Sequence, residues 1–136
     1  MNDNNMSAAK KPLIRKIYLL IHRFMFAISR KHSRNDIHVT MFPLDKDYPL
    51  AFSKIDQAFN LISEFDPRRY SQIKRNVKRI WISILPVNYA EWMNDLQTCI
   101  LDRNYLLRSD VSVCEIAQTI VHEATHARLC KLKIKY

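Results

Sequence analysis

A chain of 136 residues with 48% hydrophobic and 26% charged side chains can build one real core and is too apolar to be disordered. Its net charge of +9 favours acidic partners, anionic lipid or nucleic acid. No strand interleaves aromatic with basic residues as single-strand binders do, so nucleic acid is not the expected partner. Cys99, Cys114 and Cys130 form an odd set without a C-x-x-C pair, which argues against a disulfide framework and for a reducing, cytoplasmic setting.

Glycine is absent, so turns that need positive φ fall to Asn35-Asp36, Asn88, Asn94-Asp95 or Asn104. Residues 1–11, "MNDNNMSAAKK", read as a disordered tail, and 12–136 as a single domain. Pro12 can open a helix in which Leu13, Ile17, Leu20, Ile21, Phe24 and Ile28 share one face. Arg15, Lys16, His22, Arg23 and Arg30 occupy the other. The segment "IYLLIHRFMFAI" is too short, and too interrupted by His22-Arg23, to span a bilayer or act as a signal peptide. A basic amphipathic helix over residues 13–30 suits an anionic membrane surface or a partner protein. The plainer expectation is a helix packed on its own domain with its charges in solvent.

"VTMF" reads as a short strand and "PLDKDYP" as a loop bracketed by prolines. From Leu50 to Phe65, Phe52, Ile55, Phe59 and Ile62 recur at helical spacing. Asp66-Pro67 ends that helix and opens another, with Asp66 as N-cap and Pro67 in the first turn. Tyr70, Ile73 and Val77 then face inward, and Arg68, Arg69, Lys74, Arg75, Lys78 and Arg79 are expected in solvent. "RIWISILPV" predicts a buried strand closed by Pro86. "NYAEWMND" reads as a turn or one helical turn. "TCILDRNYLL" reads as a second strand whose more polar face suits a sheet edge.

The last element carries the clearest pattern. Ser109, Asp110 or Ser112 can cap it, and Glu115 stands three residues after Ser112, as a capping box requires. Val113, Ile116, Ala117, Ile120, Val121 and Ala124 follow as an apolar stripe of helical period. Opposite that stripe, "HEATH" sets His122 and His126 one turn apart, within reach of one zinc ion at about 2.0–2.1 Å per nitrogen. Glu115 and Thr119 share their face. Glu123 stands beside the first histidine, where a carboxylate can move the proton of an activated water. Ala124, Thr125 and Ala127 leave room around the pair.

"TIVHEATHA" resembles the active-site helix of the zincin metallopeptidases, including the Thr three residues before the first His and the uncharged intervening residues. The resemblance covers roughly residues 78–130. It implies that His122 and His126 are zinc ligands and that Glu123 is the general base and acid of peptide hydrolysis. It also implies that an edge strand, "TCILDRNYLL", binds peptide as an added strand.

The pattern departs from the family at the third ligand. The metzincin extension would need Gly and His where Leu129 and Leu132 stand, and no acidic residue follows Glu123 to serve as in gluzincins. Cys130 lies about 12 Å from His122 along a straight helix, too far to share one ion. His38, Asp102 and Asp110 are the other candidates. "RLCKLKIKY" holds no glycine or proline stop, so the helix is expected to run on and the domain to be cut short at its C-terminus.

The expectation is an α+β domain with N-terminal helices, a small sheet from residues near 80–86 and 98–107, and the motif helix beneath it. Its expected function is that of a zinc-dependent metallopeptidase, incomplete or inactive as this chain because the third ligand is missing, with a peptide or protein as substrate if active. The alternative is a non-catalytic basic module that binds anionic lipid or nucleic acid.

Overall fold

The computed structural model describes residues 3–34 and 36–133, an α+β arrangement of helices around one five-stranded sheet. Helix α1 (Asp3–Ile28) leads into strands β1 (Arg30–Arg34) and β2 (Ile37–Met41). Helices α2 (Tyr48–Phe65) and α3 (Pro67–Asn76) follow, then β3 (Arg79–Ser83), β4 (Ala90–Met93) and β5 (Thr98–Asp102). The short α4 (Arg103–Leu107) joins β5 to α5 (Val113–Lys131). Among the described residues no helix is long and apolar enough to cross a membrane.

The sheet order is β1-β2-β3-β5-β4. The central strands β2, β3 and β5 are parallel, and β1 and β4 run antiparallel along the two edges. The near-continuous apolar runs of the central strands follow from this, because a parallel sheet is covered on both faces. On one face Ile37, Val39, Met41, Ile80, Ile82, Cys99 and Leu101 join Ile55, Phe59, Ile116 and Ile120 of the helices in the main core. On the other, Trp81 and Ile100 meet Phe26 of α1 in a much smaller cluster.

Local signals place several elements where the sequence predicts them. The Asp66 side chain accepts from the Arg69 N–H at 3.0 Å and caps α3, with Pro67 in the first turn. Tyr70, Ile73 and Val77 are buried. Asp36 takes positive φ (71°) in the β1–β2 turn, whose other predicted residue, Asn35, lies outside the described residues.

Other expectations are corrected. α1 spans Asp3–Ile28, so Pro12 lies inside the helix rather than opening it. The basic segment before "VTMF" is strand β1, held in a hairpin with β2. "AEWM" is the edge strand β4, and "TCILD" lies between β3 and β4 rather than at an edge. The strand stops at Asp102 because its carboxylate turns back to cap α4, accepting the Tyr105 N–H at 3.0 Å. That carboxylate also accepts the Leu85 N–H at 2.9 Å, beyond the end of β3. Finally, α5 does stop: Lys133 takes φ 56° and its N–H donates to the Cys130 carbonyl, a left-handed closure without glycine. Residues 134–136 lie outside the described residues.

Candidate metal centre

α5 is positioned from its first turn. The Glu115 N–H donates to Ser112 Oγ at 3.1 Å and the Ser112 N–H donates to the Glu115 carboxylate at 2.7 Å, a complete capping box. Ile116, Ala117, Ile120, Ala124 and Ala127 are buried, which fixes the rotation of the helix. Glu123 falls on the border of that stripe and is buried, whereas His122 is exposed and His126 half-buried.

On successive turns the two imidazoles bring Nε2 to Nε2 at 3.1 Å, with their rings at 81°. Two nitrogens at about 2.0–2.1 Å from a tetrahedral ion stand about 3.3 Å apart. The pair therefore has nearly the spacing of two zinc ligands, and it also forms a hydrogen bond in which one ring donates and the other accepts. The ligand-type atoms of His122, Glu123 and His126 all lie within 4.8 Å of one another. Among the described residues no further His, Cys, Asp or Glu joins the group.

The other third-ligand candidates are engaged or distant. Asp102 is occupied by the Leu85 and Tyr105 amides, and Asp110 is ion-paired with Arg108. His38 lies exposed at the start of β2, opposite Arg79. The group offers two imidazole nitrogens one turn apart and one carboxylate, ligand types that a metal ion can use.

Glu123 is set apart electrostatically. Burial pushes its carboxyl above the usual range, the neighbouring histidine charges pull it back, and Glu91 on β4 pushes it up again. Behind it, burial and then the charge of Glu123 raise the Cys99 thiol far above its ordinary value.

Beside His122 and Glu123 lies an open cleft of about 550 Å³. Its walls include Tyr89 and Ala90 at the start of β4, Tyr105 of α4, and Glu115, Thr119 and His122 of α5. The Tyr89 and Tyr105 rings stack at 4.4 Å, and the Tyr105 hydroxyl is 3.1 Å from Thr119 Oγ1. Helical period alone puts Glu115 and Thr119 on the histidine side. It does not reach Tyr89, Glu91 and Tyr105, which lie just before β4, in β4 and in α4, because pairing between distant segments brings them to α5. The one available signal was the Tyr-Ala-Glu run at the mouth of a short alternating segment.

No family model matches the chain, and neither a curated protein nor a solved structure matches it. Its function is therefore read from the site.

Proposed function

We propose that this chain is a zinc-dependent peptidase of zincin type, with His122 and His126 holding the ion. The carrying observation is the 3.1 Å separation of the two Nε2 atoms beside a buried carboxylate, with His122 and Glu123 lining an open cleft. Bound zinc would supply polarisation of a carbonyl and acidification of a water. Glu123 would take up and return the proton, a role suited to a carboxyl whose affinity for protons is raised by burial.

The cleft supports a peptide as substrate. β4 is the last strand of the sheet, and its first residue, Ala90, lines the cleft beside Glu123. A strand edge offers backbone N–H and C=O groups to an extended chain, so a peptide can add to it while its side chains enter the cleft. Tyr89 and Tyr105 would give such a substrate an aromatic wall.

The test is metal content together with hydrolysis. The zinc-supplemented, dialysed chain should retain zinc and cleave fluorogenic peptides, and Glu123→Gln should retain the metal while cleavage stops. Wild-type protein without zinc above the buffer background would refute the reading.

A further inference from the structure

The molecule carries a second feature, on the sheet face away from α5. Helix α1 touches the domain through one narrow strip. His22 packs edge-on against Trp81 at 4.8 Å, Phe26 meets the same indole at 5.2 Å, and Arg15 is ion-paired with Asp95. Arg79 stacks over Phe26 at 4.0 Å. The broad apolar face is turned outward: Leu13, Ile17, Leu20, Ile21, Phe24 and Ile28 are each between 44% and 64% exposed. This reverses the expectation of an apolar side packed inward with His22 in solvent, since His22 is buried. The physical reason is the size of the receiving surface. Trp81 and Ile100, rimmed by Leu85, Met93 and Leu96, can cover only part of the helix.

We propose that this outward face of α1 docks on an anionic lipid surface. Charge selects that occupant. From Lys10 to Arg34 every charged side chain is Lys or Arg, and the exposed Lys16 and Arg23 border one side of the apolar face. A wide apolar stripe whose charged neighbours are cations is the composition of helices that lie in the headgroup layer and gain from acidic lipid. A second copy of the chain would bring like charges together around a twofold contact, which disfavours it. At 1.5 Å per residue the stretch from Leu13 to Ile28 is about 24 Å long, enough to lie along an interface. Next to it, Met25 lines a mostly apolar hollow of about 270 Å³ with Phe42, Trp81 and Ile84, which the ion-paired Asp45 and Arg103 border; Phe42 and Ile84 are themselves exposed. Apolar surface thus continues from the helix to the adjoining ends of β2 and β3.

Sedimentation of the full chain with vesicles tests this. Phosphatidylcholine vesicles with phosphatidylserine should carry the protein down, and phosphatidylcholine alone should do so at least about tenfold less. Leu20→Glu with Phe24→Glu should weaken binding by about a hundredfold. Lys16→Glu with Arg23→Glu should weaken it by about twentyfold and flatten its salt dependence. All four side chains are solvent-exposed, so circular dichroism and the thermal midpoint should match wild type. Failure of the wild-type chain to bind serine-containing vesicles overturns the proposal, as does unchanged binding by the Leu20/Phe24 variant. A concentration-dependent dimer lost in that variant, without vesicle binding by wild type, would identify a second copy as the occupant and overturn it equally.

Discussion

His122 and His126 hold their Nε2 atoms 3.1 Å apart on successive turns of α5, with the buried Glu123 beside the first of them. Each residue then has a separable consequence. His122→Ala or His126→Ala should reduce retained zinc to near background in elemental analysis, because each variant removes one of the two imidazoles proposed to hold the ion. Glu123→Gln should keep the zinc and lower peptide cleavage by about 10²–10⁴-fold. Equal zinc content in wild type and both alanine variants would show that any bound ion sits elsewhere.

Asp102 links three elements through its carboxylate, which accepts the Leu85 and Tyr105 amides from inside the fold. Asp102→Ala would leave both donors without their acceptor, and should cost roughly 2–4 kcal/mol in denaturant unfolding. Asp102→Asn keeps an acceptor oxygen and should recover part of that loss. A cost below about 0.5 kcal/mol for the alanine variant would contradict the linking role.

His22 is buried against Trp81 with Nδ1 unpartnered, and burial lowers its pKa below the ordinary value of 6.5. A lowered histidine pKa means that the unfolded chain takes up the proton first. The contribution of His22 is thus complete above about pH 6.5 and is lost as pH falls, by at most about 1.4 kcal/mol per pH unit. His22→Phe should flatten the stability profile below about pH 6.5. An unchanged acid slope in thermal or urea unfolding would remove His22 as its source.

Cys99 is 1% exposed and its thiol is held protonated by burial and by the charge of Glu123, whereas Cys114 is exposed. Iodoacetamide should label Cys114 in the native protein and reach Cys99 at least about 10³-fold more slowly, through unfolding. Mass spectrometry of timed digests reads the order. Comparable labelling rates would contradict the packing of β5 under α5.

Ser112→Ala removes half of the capping box while touching nothing in the core. Stability should fall by about 1 kcal/mol. Zinc retention, measured on the folded variant, should not change, because the histidines lie several turns further along α5.

Whatever depends on residues close together in the chain is legible without the fold. The capping box at Ser112 and Glu115, the Asp66-Pro67 helix junction, the stripe that rotates α5 and the one-turn spacing of His122 and His126 all act over a turn or two. Hydrogen-bond geometry and helical period suffice to read them. The buried run at β3 was legible for a similar reason, since few short segments tolerate Ile80, Trp81 and Ile82 together except in a covered strand.

Tertiary structure decided the rest. "AEWM" becomes the edge strand, and Asp102 is drawn away from the strand pattern into a cap, because β5 inserts between β3 and β4. The same pairing brings Tyr89, Ala90 and Tyr105 to the histidine face of α5 and so forms the cleft. α1 shows the limit most directly. Periodicity describes an apolar face and a charged face, but not which one meets the protein. The small patch around Trp81 receives His22 and Phe26 and leaves Leu20 and Phe24 outside. That choice depends on how much sheet surface is free after strands distant in sequence have paired, a quantity no local pattern contains.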